Sequence, residues 1–167
     1  MLCLANRANL DRRRLLTRLH NRLGTQVDGD GSIQQVWYHT SAGDKIGVRA
    51  TVDPEQLLGA TYACDEGELQ VSFDFPRNAD HDYYRIQWVE RDRDLLVGWH
   101  QDETHPELGT CHFQLDYDGK TVQRSKAAYL DAHPLNVFDQ RTDDLVNVLD
   151  ALRWEDGKPQ VSTDMLR

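Results

Sequence analysis

The sequence of 167 residues contains no apolar run that approaches the length of a membrane span. A spanning helix needs about 20 consecutive apolar residues, and the first residues reach arginine before a stretch of signal-peptide length has formed. The cysteines, Cys3, Cys64 and Cys111, form no CxxC pair, which argues against a disulfide framework and against a zinc knuckle. We therefore expect one domain that contacts no membrane and resides in the reducing cytoplasm.

Lysine and glutamate are scarce. Arginine supplies 15 of the 19 basic residues, aspartate supplies 21 of the 28 acidic residues, and the net charge is −9. Short carboxylates hold a dense shell of water and ions, and the loss of lysine stems removes flexible apolar surface, so both biases keep a protein soluble at high salt. A GC-rich genome also favours arginine over lysine but does not explain the excess of aspartate. The composition therefore favours a halophilic source, with GC bias as the alternative.

The motifs of the commonest enzyme classes are missing. The chain has no GxxxxGK[ST], GxGxxG, GxSxG or HExxH sequence, which removes nucleotide-binding loops, serine-hydrolase elbows and zinc-protease helices as explanations. We expect no cofactor.

Charge is distributed unevenly along the chain. Residues 1–24 have a balance of +5 and the remaining residues a balance of −14, an asymmetry that often marks a nucleic-acid arm or a docking element. Leu16, Leu19 and Leu23 form an apolar stripe that predicts a helix over residues 6–23.

Three arginines lie beside this stripe at helical spacing, namely Arg14, Arg18 and Arg22. Two interpretations are open: the row contacts RNA phosphates or a protein partner, or it pairs with the acidic body of the same chain. Asn9 is predicted to cap the helix and Gly24 to end it.

Beyond residue 27 the pattern changes to short β-rich segments with short connections. The predicted strands are residues 33–39, 45–52, 68–75, 83–89, 95–99, 110–117 and 121–123. Asp118-Gly119 is a type I′ hairpin signal. The four tryptophans, Trp37, Trp88, Trp99 and Trp154, lie in apolar-patterned segments and are predicted to anchor the core.

A second helix is predicted over residues 142–152, capped by Thr142, and residues 155–167 are predicted to be a loose tail. Its apolar stripe consists of Leu145, Val148, Leu149 and Leu152. The element order predicts an α+β fold, an antiparallel β-sheet meander covered by N-terminal and C-terminal helices. The domain spans residues 1–167, with a basic helix in 1–24 and the sheet with its terminal helix in 25–154.

A histidine-rich segment, residues 98–114, connects two predicted strands. A rigid sheet can present reactive groups on such a loop, and imidazole titrates near neutral pH. His105 and His112 can move protons, with Asp102 or Glu107 orienting a ring. Three interpretations are open: metal-free acid–base cleavage of RNA, a metal site made by His100, Asp102, His105 and His112, and a polar loop whose histidines bind the backbone.

Four sequence segments resemble the TumE-like proteins. They are residues 83–88 (YYRIQW), 95–102 (LLVGWHQD), 105–108 (HPEL) and 110–113 (TCHF). The resemblance covers about residues 83–152, and Asp102, His105, Pro106 and His112 fall on matching positions. His100 stands where the family has arginine, and His112 alone represents its second histidine cluster.

The resemblance implies the toxin component of a type II toxin–antitoxin module, with a helix-turn-helix antitoxin protein as partner. We therefore expect Asp102, His105 and His112 to be catalytic groups acting on RNA, supported by His100 and Glu107, without a metal. The alternative is a non-catalytic module that docks a helix-turn-helix regulator or another protein.

Overall fold

The computed structural model describes residues 12–27, 29, 31–76 and 80–166. The helices are α1 (Arg12–Val27), α2 (Pro54–Leu58) and α3 (Pro134–Ala151), with short 3-10 turns at Pro106–Leu108 and Thr163–Leu166. The strands are β1 (Ile33–Ser41), β2 (Asp44–Val52), β3 (Gly67–Asp74), β4 (Tyr83–Glu90), β5 (Leu95–Gln101), β6 (Cys111–Tyr117), β7 (Lys120–Lys126), β8 (Arg153–Glu155) and β9 (Lys158–Gln160).

Strands β1 to β7 form one antiparallel sheet in which the spatial order equals the sequence order. The predicted meander and the α+β class are therefore confirmed. Asp118 (φ 52°) and Gly119 (φ 66°) connect β6 to β7, and two positive φ values in a two-residue loop are what a type I′ turn requires.

Both long helices pack on the same face of the sheet. The α1 stripe is buried, and His20 of this helix stacks on Tyr38 of β1 with ring centroids 4.4 Å apart. On α3, the predicted stripe of Leu145, Val148 and Leu149 is buried in the same core. Trp88 and Trp99 are also buried there, as predicted, whereas Trp154 is 42% exposed and is not a core anchor.

A buried arginine holds α3 against the sheet. Arg141 is 4% exposed; it donates to the hydroxyl of Tyr84 at 3.2 Å and to Asp144 at 3.0 Å, and its guanidinium lies 5.2 Å from the ring centroid of Trp99. Burial of an arginine is tolerated because these partners satisfy its charge and its donors.

The predicted helix bounds differ from the structure at two places. α1 continues through Gly24 to Val27, and the predicted cap Asn9 lies outside the described residues. α3 begins at Pro134, because the His133 side chain accepts from the Leu135 amide and proline suits the first helical position. Thr142 therefore lies inside the helix and bonds the Phe138 carbonyl at 2.7 Å.

The prediction of a loose tail is wrong for the described residues. β8 and β9 form a hairpin through Asp156 and Gly157, which have positive φ values. The segment that follows buries Val161 and Leu166. Burial of these apolar side chains ties the tail to the core. None of the described helices is long and apolar enough to cross a membrane.

Candidate functional site

The sheet face opposite the two long helices carries polar side chains in rows that cross the strands. Strand register aligns one row from β2 to β7: Arg49, Gln70, Gln87, Gly98, Gln114 and Arg124. The next row, over the same strands, consists of Gly47, Ser72, Arg85, His100, His112 and Lys126. We call this surface the polar face. Trp37 of β1 pairs with Arg49 in register and, by strand alternation, belongs to the polar face rather than to the core.

A chain of hydrogen bonds crosses three strands of the polar face. Gln70 donates to Glu68 Oε1 at 2.6 Å, Gln87 donates to Gln70 Oε1 at 2.8 Å, and His100 Nε2 lies 3.0 Å from Gln87 Oε1. An ionised carboxylate only accepts, so Glu68 orients each amide in turn. We call this chain of hydrogen bonds the relay. At its end the amide oxygen of Gln87 can only accept, so His100 carries its hydrogen on Nε2.

His100 is held neutral. Burial lowers its pKa to about 3, and the nearby Arg85 and His112 act in the same direction. The relay adds a neutral acceptor, Gln87, at the ring nitrogen. His100 therefore supports the site by position and does not supply a proton near neutral pH.

His112 lies at the centre of three imidazoles. Its ring centroid is 5.3 Å from that of His100 and 4.9 Å from that of His105, both edge-on. It is 1% exposed, and neither ring nitrogen has a hydrogen-bond partner among the described residues. Burial lowers the pKa of His112. An unpaired buried polar atom costs about 1–3 kcal/mol and is a common sign of a functional constraint.

His105 is the imidazole that faces solvent. Its side chain is 24% exposed, and Nδ1 lies 3.1 Å from Glu107 Oε1. A hydrogen bond from its own backbone amide lowers the pKa of Glu107, and His105 adds to this effect. Because the ionised Glu107 accepts, Nδ1 of His105 donates and Nε2 keeps a lone pair. A carboxylate that orients imidazole in this way prepares it as a general base.

Asp102 lies at the edge of the imidazole cluster without bonding His105. Its Oδ1 accepts from the Thr104 amide at 2.9 Å. Burial raises the pKa of Asp102, but the hydrogen bonds from Thr104 outweigh this and lower it below the ordinary value, with help from His112 and His100. Of the two predicted carboxylates, Glu107 is the one that contacts His105.

The four candidate metal ligands do not converge. No three of His100, Asp102, His105 and His112 bring ligand atoms within 4.8 Å of one another; within the described part of the chain only Cys64, Glu90 and Asp92 do so.

That second group is also poorly suited to a metal. Glu90 already accepts from Tyr62 at 2.6 Å, from Trp88 Nε1 at 2.6 Å and from Arg93 at 2.6 Å. Burial, with Glu90 nearby, raises the pKa of the Cys64 thiol to about 12, so the thiolate that a metal needs is disfavoured.

The predicted arginine row is far from the imidazole cluster. Arg22 forms an ion pair with Asp139 of α3 at 2.9 Å, whereas Arg14 and Arg18 are exposed on α1. Since α1 packs on the opposite side of the sheet, these arginines and His105 cannot line one continuous site.

Sequence reasoning missed the cations that do lie beside the imidazoles. Arg85 and Lys126 share the row of His100 and His112, and Arg124 bonds Gln114 at 3.2 Å. Over the described ranges, none of these three cations has a carboxylate at ion-pair distance. Their signal is the polar alternation along β4 and β7.

Comparison of the chain with protein-family models, with curated proteins and with solved structures finds no match. The resemblance to the TumE-like proteins therefore stays a prediction.

Proposed function

We propose that the polar face binds RNA and that His105, oriented by Glu107, removes the proton of a 2′-hydroxyl. The observation that carries this proposal is the solvent-facing pair of His105 and Glu107, which are 3.1 Å apart and lie next to a row containing unpaired cations. A protein with a net charge of −9 repels a polyanion in general. Cations free of carboxylates give RNA one place to dock.

The chemistry requires one base and one group that stabilises charge. Nε2 of His105 accepts the 2′-hydroxyl proton, the resulting oxygen attacks the adjacent phosphorus, and the bond to the 5′-oxygen breaks. The products are a 2′,3′-cyclic phosphate and a 5′-hydroxyl. The leaving oxygen takes its proton from water, and the hydroxide so formed takes the proton from His105, which regenerates the base. Arg124 stabilises the charge that develops on the phosphoryl oxygens. His112, neutral and shielded from solvent, positions the His105 ring by edge-on packing.

The biological setting that we propose follows the TumE-like resemblance. The chain would be the toxin-like component of a type II toxin–antitoxin module in the cytoplasm, with a helix-turn-helix antitoxin protein as partner. Arg14 and Arg18, which are exposed on α1, give an acidic partner a docking surface separate from the polar face.

Cleavage of a single-stranded RNA and of DNA of the same sequence tests this function. We expect the protein to cleave RNA and not DNA, because DNA lacks the attacking hydroxyl. His105→Ala should lower the rate by about 100-fold or more, and Glu107→Gln should lower it less, since the base remains. His20→Ala, on the opposite side of the sheet, is the matched control. Equal cleavage by the wild type and by His105→Ala would refute the role of His105.

A binding module without catalysis is the second candidate. It is supported by the seclusion of His112, whose two nitrogens cannot reach a substrate, so that the site offers one accessible imidazole rather than two. RNA binding by the wild type with no cleavage would favour this candidate. Capture of a helix-turn-helix partner that Arg18→Glu abolishes would support its protein-docking form.

A further inference from the structure

A hollow of about 150 Å³ opens on the polar face. Its residues Arg85 and Gln87 neighbour His100, whereas His105 and His112 do not line it. It is lined by residues of β1 to β4, among them His39 and Ser72, the register partners of Gly47. The polar side chains around it are His39, Arg49, Gln70, Ser72, Arg85 and Gln87. At about 30 Å³ for each water of the liquid, the hollow has room for about five waters, which suits a single phosphate group better than a nucleobase.

Gly47 lies in the same row of the sheet, between His39 and Ser72. A Cβ atom at this position would lie 2.5 Å from the carbonyl oxygen of Val71, so the close approach of β2 to β3 excludes every side chain here. The polar groups at this end of the row therefore come from the neighbouring strands, from His39 and Ser72, which both line the hollow.

The hollow is rich in donors. The amide oxygens of Gln70 and Gln87 already accept within the relay, and each amide nitrogen has donated only one of its two hydrogens there. Arg85 is exposed and, within the described ranges, no carboxylate lies at ion-pair distance from it. Arg49 shares Glu68 with Gln70, at 3.3 Å. A ligand for this hollow must offer acceptor atoms and negative charge.

We propose that the hollow binds one phosphate of a single-stranded RNA whose neighbouring segment reaches His105, an inference that rests on the proposed function. Ser72 and His112 lie three strands apart in one row, which is about 14 Å at about 4.8 Å between strands. A single phosphate cannot contact both places. The substrate is therefore an oligonucleotide that crosses the strands. Trp37, the register partner of the lining residue Arg49, is an aromatic side chain of the polar face on which a base can stack.

The salt dependence of RNA binding tests this assignment. Fluorescence anisotropy measures the affinity of a labelled single-stranded RNA over a series of KCl concentrations at which circular dichroism shows the protein folded. Each phosphate contact with a single strand contributes about 0.7 to the slope of log affinity against log salt. We expect Arg85→Gln to lower the slope by about 0.7, Arg85→Lys to retain it, and Arg18→Gln, on α1, to leave it unchanged.

The outcomes separate the two proposals. If the wild type binds no RNA, the proposed function is refuted, and the assignment of a phosphate to the hollow is refuted with it. If the wild type binds RNA and Arg85→Gln keeps the full slope of log affinity against log salt, only the assignment of a phosphate to the hollow is refuted. A reduced slope in Arg18→Gln alone would assign the phosphate contact to α1. Competition by a mononucleotide or by inorganic phosphate as strong as that by the oligonucleotide would overturn the oligonucleotide assignment.

Discussion

His100 makes the folded state sensitive to acid. Burial lowers its pKa to about 3 in the folded protein, against about 6.5 in an unfolded chain. At a pH between these two values, His100 binds a proton in the unfolded chain but not in the folded chain. The contribution of His100 to the free energy of unfolding is therefore complete above pH 6.5 and is lost as the pH falls towards 3. The slope is about 1.4 kcal/mol per pH unit, and the total for this residue is at most about 5 kcal/mol.

The matched variant is His100→Gln. Its amide can donate to Gln87 Oε1 as the imidazole does, but it does not titrate. Urea unfolding from pH 7 to pH 4 gives the free energy of unfolding of both proteins, and the carboxylates common to both cancel in the difference. We expect the wild type to lose about 2–4 kcal/mol more than the variant over this range, and His20→Gln to follow the wild type. Parallel curves for wild type and His100→Gln would refute the claim that burial holds His100 neutral.

Three further predictions concern stability. Arg141→Leu removes the contacts with Tyr84 and Asp144 and should lower the free energy of unfolding by about 2–4 kcal/mol in urea titrations; a change below about 1 kcal/mol would mean that α3 docks without it. Gly98→Ala places a Cβ 2.4 Å from the Ile86 carbonyl oxygen and should reduce the melting temperature. Gly24→Ala meets open space in α1; it should raise the free energy of unfolding by up to about 1 kcal/mol and the melting temperature with it. Similar shifts in melting temperature for both variants would contradict the packing argument. If the aspartate excess reflects halophily, the melting temperature should rise from low to molar KCl because salt screens the repulsion in a chain of charge −9, and an unchanged or lower value would favour GC bias.

The strands were predictable because alternation is a local signal. Val36 and Tyr38 pack against the core while Trp37 between them does not. Away from the register shifts in β1 and between β6 and β7, the same alternation assigns successive residues to opposite faces of the sheet. The start of α3 was missed because His133 is an unusual cap residue. Thr142 is a common cap residue, so the helix was predicted to begin there, inside the observed helix. The final hairpin was missed because its strands have three residues each, too few for a periodic pattern.

The candidate site was predictable only in part. Antiparallel pairing of β5 with β6 brings His100 directly opposite His112, and that follows from the order of the strands. The choice of Glu107 over Asp102 as partner of His105 depends on the 3-10 turn at Pro106–Leu108, which spacing does not reveal. The relay through Gln70 and Gln87 requires the exact register of β3 and β4, and a shift of one residue would have moved both amides to the core face.

The meander order also determines how the chain can fold. Each of the strands β1 to β7 pairs with its neighbour in sequence, so every pairing closes a short loop and costs little chain entropy. A sheet of this kind has a lower contact order than a Greek-key sandwich of the same size, and lower contact order goes with faster folding. The long closures are those made by the helices, such as Arg22 with Asp139 and Arg141 with Tyr84. Docking α1 and α3 is therefore the entropically expensive part of folding, and until it happens the apolar side of the sheet stays open to water.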